Sequence, residues 1–254
     1  MPSYIGRHAD LYDLFYKNKN YKAEAKFVHG LISDYSSRKT RTILELAGGT
    51  GNHSFHLSQY GYMITLTDNS HDMLRVARKK LSVNTNVEVD YMDMTRFKKF
   101  NKQFDTVICL FDSIGYVQTN DNILRVLKNV STCLKKKGLF IFEYWNAGAM
   151  ISSFDPVRLK EWRDGGRKVV RRSETKLFYE NQLCKVHYTI TEYEGDRIKR
   201  KIRESQTNRF FLSQEMNLFL SSTGLRPLAL FDGFTRRKKI TEKSWHTVCV
   251  AGKI

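Results

Sequence analysis

Residues 43–52 read Ile43-Leu44-Glu45-Leu46-Ala47-Gly48-Gly49-Thr50-Gly51-Asn52, an apolar strand that ends in an acid and passes through a glycine-rich turn into a helix. The turn brings a carboxylate, bare backbone amides and the positive end of a helix to one point. A helix N-terminus attracts negative groups such as a ligand carboxylate. Glu45 suits a ligand that also carries positive charge.

S-adenosylmethionine carries both, as a carboxylate beside an ammonium and a sulfonium. The rival ligand is a nicotinamide or flavin dinucleotide, whose fingerprint places a third glycine after the Gly-x-Gly pair. Counted from Gly49 and Gly51, that position is Ser54. An acid ahead of the turn is also foreign to the dinucleotide pattern. Taken alone, the segment could still be a plain structural turn.

The surrounding pattern argues for more. Leu11, Leu14 and Phe15, then Val28, Leu31, Ile32 and Tyr35, follow helical spacing. From residue 43 strands and helices alternate: strand 43–46, helix 52–60, strand 62–67, then a helix with Met73, Leu74, Ala77 and Leu81 on one face. Strands 87–91 and 105–111, a helix bearing Leu124, Leu127 and Val130, and strand 139–145 complete the run. Such alternation implies an α/β fold, a doubly wound, mostly parallel sheet covered on both faces.

After Asn146 the character changes. Residues 147–167, with Pro156 and Gly165-Gly166, read as irregular, and 168–211 as antiparallel strands turning at Glu194-Gly195-Asp196. A short helix is expected from Ser213, as its cap, to Gly224, and strands near 228–231 and 245–251 rejoin the main sheet. The expected organisation is a core of residues 1–146 and 213–254, with 147–212 an antiparallel insertion serving as substrate lid or dimer surface.

No apolar run reaches the length of a membrane span, and the opening Met1-Pro2-Ser3-Tyr4 lacks a leader's apolar stretch. Cys109, Cys133, Cys184 and Cys249 lie far apart without a Cys-x-x-Cys, which argues against a disulfide or metal framework and for a reducing, cytoplasmic setting. Cys109, between Ile108 and Leu110, reads as a small buried hydrophobe, and His53 and His56 find no third metal ligand. The net charge is +17, divided as +7 over residues 1–150 and +10 over 151–254. Such a field attracts nucleic acid, acidic surfaces or a phosphorylated small molecule, unless it only keeps the surface soluble.

In a doubly wound sheet, ligands bind at the carboxyl ends of the strands. Asp68 follows the second strand, where a carboxylate accepts from ribose hydroxyls or caps the next helix. Asp93-Met94 follows the third, where an acid can accept from an adenine amine and a thioether can pack on the ring. With these residues the chain resembles the class I S-adenosylmethionine-dependent methyltransferases, and most closely the N,N-dimethyltransferases of nucleotide-linked amino sugars. The segments that carry the likeness are Leu11–Tyr16 with Tyr21 and Glu24, the turn at 43–52, Asp93-Met94, and Cys109–Tyr116.

The resemblance implies a seven-stranded sheet with its last strand reversed, and S-adenosylmethionine as cofactor. It implies that Glu45, Ala47, Gly49 and Gly51 line the methionine moiety, with Tyr21 near its carboxylate, that Asp68 and Asn69 hold the ribose, and that Asp93 and Met94 hold the adenine. Tyr16 and Tyr116 face the methyl acceptor, a small molecule with an anionic handle. Some relatives place histidine where this chain has Tyr116, and a tyrosine with a pKa near 10 is a poor base at neutral pH. Ala47 stands where glycine is commonest. RNA is the rival acceptor, gripped by basic runs 167–172, 197–203 and 236–239, but Phe111-Asp112-Ser113-Ile114 replaces the Asn/Asp-Pro-Pro-aromatic motif of enzymes that methylate base amines. A non-catalytic basic protein with a vestigial pocket is the remaining alternative. Monomer and homodimer both stay open.

Overall fold

The computed structural model describes residues 4–97, 100, 103–164, 166–237 and 239–254. Met1–Ser3, Gly165 of the Gly165-Gly166 pair and Lys238 of the basic run 236–239 lie outside the described residues. Two helices open the chain, α1 (Arg7–Phe15) and α2 (Tyr21–Tyr35). They bury the residues whose spacing predicted them, including Leu11, Phe15, Val28, Leu31 and Ile32.

Strands β1 (Thr42–Glu45), β2 (Met63–Asp68), β3 (Val87–Tyr91), β4 (Phe104–Cys109) and β5 (Leu134–Trp145) alternate with helices α3 (Asn52–Ser58), α4 (His71–Lys80) and α5 (Asn120–Cys133). These five strands run parallel in the order β5-β4-β1-β2-β3. Buried on both faces, the central strands carry apolar middles, Ile43-Leu44 in β1 and Val107–Cys109 in β4, with polar residues toward their ends. One core, with Leu44, Val107, Phe140, Phe142 and Val126, fills one side, and a second, with Ile43, Ile108, Ile141, Val28 and Leu31, fills the other.

The chain returns through α7 (Ser213–Ser221), β10 (Leu225–Asp232) and β11 (His246–Lys253). Strand β11 inserts antiparallel between β5 and β10, giving a seven-stranded sheet in which only β11 is reversed. Ser213 is the first helical residue and does not cap α7. The Glu215 carboxylate takes that role by accepting from the Leu212 N–H, because a longer acid at the third helical position can reach back over the free amides.

Residues 147–167 depart from the irregular reading. They form helix α6 (Ala147–Ser153), capped by the Asn146 side chain, and strand β6 (Val157–Asp164). Strand β6 pairs antiparallel with β7 (Arg167–Phe178), which is followed by β8 (Leu183–Glu194) and β9 (Arg197–Arg209) in a four-stranded sheet. Exposed charges on alternate positions of β6 hid its period, and pairing with β7 supplies what the sequence did not.

Three seams hold this second sheet over the carboxyl ends of the first. From α1, Arg7 donates to Glu192 at 2.6 Å and His8 Nδ1 meets Glu204 at 2.8 Å. The Tyr4 N–H donates to the same Glu204 at 2.8 Å, while the Gly6 N–H donates to Asp72 of α4 at 2.8 Å, so this segment ties the second sheet to a helix of the first. The 3-10 turn Ser113–Val117 packs on β9 so closely that a Cβ on Gly115 would stand 1.6 Å from Asn208 Oδ1 and 2.6 Å from the Arg209 carbonyl. At the third seam the Phe211 N–H donates to the Trp145 carbonyl, and the Ala147 N–H to that of Phe211.

Candidate active site

A cavity of about 380 Å³ opens where the two sheets face each other, within the size range of small-ligand sites. Its two ends are built differently. At one end lies the glycine turn. Ala47, Gly49 and Gly51 all have positive φ, at 51°, 57° and 80°, a tight curl in which the Gly51 N–H donates to the Gly48 carbonyl at 3.0 Å. Gly49 lines the cavity, and its N–H donates to Asp68 Oδ2 at 2.9 Å. Asp68 Oδ1 accepts from the Ser70 N–H at 2.8 Å, and Ser70 itself caps α4. With backbone donors from Gly49, Asn69 and Ser70, the Asp68 carboxylate still keeps acceptor capacity for a ligand hydroxyl.

Glu45 is only 1% exposed and lines the same end. Ser54, the residue that breaks the dinucleotide pattern, donates its hydroxyl to Glu45 Oε2. His53 Nε2 lies 2.8 Å from Glu24 and its Nδ1 3.9 Å from Glu45. Burial raises the Glu45 carboxyl above its ordinary value, against the pull of His53 and Ser54. A cationic ligand group beside it would reverse that cost. Tyr21 also lines this end, with its buried hydroxyl beside Tyr12 and Asn52. A phenol donor opposite a buried acid fits a ligand end that carries both a carboxylate and an ammonium.

Asn69, Met73, Met92 and Met94 continue the wall. Asp93 and Gly51 are not part of it. Asp93 Oδ1 accepts from the Thr95 N–H and hydroxyl at 2.8 and 2.7 Å, a local turn. A Cβ on Gly51 would stand 2.7 Å from Leu81 and 3.0 Å from Leu66, so this glycine lets α3 approach β2 and α4. Of the sequence-selected set, the cavity gathers Tyr16, Tyr21, Glu45, Ala47, Gly49, Asp68, Asn69, Met94 and Tyr116.

The other end is a cage of tyrosines and amides. Tyr16 meets Phe111 edge-on at 5.0 Å and Tyr12 at 4.7 Å. Tyr116 donates to Gln206 Oε1 at 3.2 Å and shares a 3.3 Å contact with the Tyr4 hydroxyl. Burial among other phenols pushes the Tyr4 and Tyr116 hydroxyls well above their ordinary range, so both stay protonated donors. Tyr188, Val186, Cys184, Gln206 and Asn208 form the roof. Asn208 Oδ1 is buried with no hydrogen-bond partner among the described residues.

Beneath the cage lies a cluster in which sequence reasoning picked out Asp112, as a group to orient an amine, and missed His246 and Glu143. His246 Nδ1 lies 2.8 Å from Glu143 Oε1 and 3.1 Å from Asp112 Oδ2, with both acids buried. Asp112 lines the cavity. Glu143 could have been found, since it is the one acid in the apolar run Phe140–Trp145. Gln206 and Asn208 were signalled by the alternation Glu204-x-Gln206-x-Asn208, which puts three polar groups on one face of β9. Cys109 is fully buried in β4, with its thiol pushed up by burial, as a small hydrophobe would be.

Comparison with known proteins agrees with this geometry. A methyltransferase domain family model matches residues 43–138. The dTDP-3-amino-3,4,6-trideoxy-alpha-D-glucopyranose N,N-dimethyltransferase of Streptomyces venezuelae is 31% identical over 193 residues, covering 73% of this chain and 76% of the relative. Among solved structures, an S-adenosylmethionine-dependent methyltransferase from Clostridium acetobutylicum superposes with a TM-score of 0.83 at 21% identity, over 97% of this chain and 98% of the other. Streptomyces venezuelae DesVI does so at 0.79 and 25% identity, over 95% and 97%.

Proposed function

This chain belongs to the class I S-adenosylmethionine-dependent methyltransferases, and we propose that it N-methylates a nucleotide-linked amino sugar. The observation that carries the acceptor reading is the cage, a chamber joined to the glycine-turn end and lined by hydroxyls, amides and one carboxylate. That lining suits a small polar amine. A folded nucleic acid would have to extrude its base to reach it.

In this reading Glu45 and Tyr21 take the amino-acid end of the cofactor, and Asp68 and Asn69 the ribose. The methionines at 92 and 94 take the adenine, with Asp93 behind them. Bound there, S-adenosylmethionine supplies an electrophilic methyl group that an in-line amine can displace. The protein's share is to align that amine, and positioning of this kind is worth on the order of 7–11 kcal/mol. Tyr16 and Tyr116 orient the acceptor, and the antiparallel sheet serves as its lid.

An anionic handle has a place to sit. Arg171 on β7 is 8% exposed, directly opposite Lys160 on β6. Its guanidinium stacks 4.8 Å from Phe15, 5.1 Å from Trp162 and 5.4 Å from Tyr188. Like charges facing each other across an antiparallel pair are unfavourable. A diphosphate beside the cage would relieve them. The relative from Streptomyces venezuelae is named for a dTDP-linked amino sugar.

The test is transfer of labelled methyl groups from S-adenosylmethionine to a panel of dTDP-linked amino sugars and, in parallel, to purified RNA. Methylation of an amino-sugar nitrogen, located by mass spectrometry, is the expected result. Label in RNA alone would overturn the acceptor reading and turn attention to the exposed basic hairpin tip at 197–201.

A further inference from the structure

We infer that Asp112, clamped by His246 and Glu143, is the general base that takes the proton from the acceptor's ammonium group before methyl transfer. The inference rests on the acceptor being an amine, as proposed above.

Charge balance is the first argument. Two buried carboxylates share one imidazole, at 2.8 Å from Glu143 and 3.1 Å from Asp112. Even with the imidazole protonated, one negative charge is left over in a buried site, a costly state unless a cation arrives. Both acids are held, Glu143 by the Phe111 N–H, which donates to its second oxygen at 2.6 Å, and Asp112 by the Trp145 side chain. Asp112 is the member of the cluster that lines the cavity, so the surplus charge faces the acceptor chamber.

Backbone geometry is the second. Phe111 and Asp112 both adopt left-handed φ, 58° and 57°, a conformation that non-glycine residues hold only under constraint. The constraint is visible: the Asp112 carbonyl accepts from Gly115 N–H at 3.0 Å and from Asn208 Nδ2 at 3.3 Å. The strained turn sets Asp112 in the cavity wall, near enough to Tyr116 for its charge to be felt there.

Every group around Asp112 bears on its proton affinity. Strand β11 offers His246, β5 offers Glu143 and Trp145, and β4 offers Cys109. The 3-10 turn contributes Tyr116, β9 the neutral Asn208, and α1 places Tyr16 against Phe111. Burial, with Glu143 adding to it, raises the Asp112 carboxyl to about 6 in spite of His246. Although burial opposes it, the two carboxylates hold His246 up at about 11. At neutral pH the cluster therefore holds an ionised Asp112 that is more basic than an ordinary aspartate.

The step balances simply. One ammonium N–H bond breaks, its electron pair stays on nitrogen, and an O–H bond forms on Asp112. Once product leaves and water enters, a carboxyl near 6 returns that proton to solvent at pH 7 and is ready again.

Asp112→Asn keeps the shape and removes the base. Turnover should fall about 100-fold or more, typical of a lost general base, while calorimetric affinity for S-adenosylhomocysteine stays within about twofold. An alkoxyamine analogue of the acceptor, neutral at pH 7, should be methylated by the variant at nearly the wild-type rate. Wild-type kcat/KM should fall about tenfold per pH unit below the Asp112 pKa, because only the ionised form accepts. His246→Gln removes the cation that holds this pKa down, so the acid limb should move to higher pH, a shift that a purely structural histidine would not produce. This variant keeps the question open to test if Asp112→Asn fails to fold. The inference is overturned if Asp112→Asn keeps wild-type turnover, or if the His246→Gln limb does not move. It also falls if a chelator abolishes activity and a divalent ion restores it. If the wild type methylates no amino-sugar amine at all, the acceptor reading fails first and this inference with it.

Discussion

The two ends of the cavity differ in how far along the chain their contacts reach. At the cofactor end, Asp68 meets Gly49 across 19 residues and Ser54 meets Glu45 across nine. At the acceptor end, Tyr116 meets Gln206 across 90 residues, His246 meets Asp112 across 134, and Tyr4 meets Glu204 across 200. One end is written in consecutive strand–turn–helix units, whose geometry follows from backbone rules. The other exists only after two sheets and the N-terminal helices have docked. The cofactor end should therefore tolerate damage at the seams, and the acceptor end should not.

The harshest way to break that comparison is Gly115→Ala. The added methyl would overlap the Asn208 amide and crowd the Arg209 carbonyl. Neither can retreat without moving β9, so we expect a loss of about 3 kcal/mol, at the upper end for overpacking. Thermal unfolding and acceptor KM should both worsen, while affinity for S-adenosylhomocysteine changes little. Equal loss of cofactor and acceptor binding would show that the two ends are one cooperative unit.

Asp68→Ala is the converse probe. It removes the acceptor of the Gly49 and Ser70 amides as well as the proposed ribose contact. Cofactor affinity should weaken by roughly 1.5–3 kcal/mol, as for a charge-assisted hydrogen bond. The chamber of tyrosines, built from other elements, should keep its affinity for the bare sugar nucleotide. Unchanged cofactor affinity in a folded variant, measured by calorimetry, would remove Asp68 from the ribose site.

The same contrast explains what could be read from residue order. The order of strands and helices from Thr42 to Trp145 was legible because periodicity is local. Glu45, Gly49 and Asp68 were legible because a strand end fixes where its last side chain points. Tyr16 and Tyr116 were reached through resemblance, and the cavity does contain both. Strand β6 was lost because its pattern is polar on both faces until β7 pairs with it. His246 could not be connected with Asp112, since nothing local marks that β11 inserts beside β5 and carries its first residue under the cage. Gly51 shows the opposite limit. This motif glycine lies outside the cavity wall, and its missing side chain serves the packing of Leu66 and Leu81.

Ala47 sharpens the comparison with the smallest expected effect. It lines the cofactor end with φ at 51°, a conformation that costs an L-residue about 1–2 kcal/mol. Ala47→Gly would relieve that strain, yet the freer unfolded chain takes back about 0.4–1 kcal/mol. The net should be a gain of at most about 1.6 kcal/mol, or no more than about 3–6 °C in Tm for a chain of this size. Cofactor affinity should stay within about twofold if only the backbone amides at this position matter. Gly49→Ala is the matched control: it introduces the same strain at φ 57° and brings a methyl to 3.3 Å from Met73 Cε. It should lower both Tm and affinity. A tenfold loss of affinity in Ala47→Gly instead would mean that the Ala47 methyl itself packs on the ligand, and that this turn recognises its cofactor with side chains as well as with backbone.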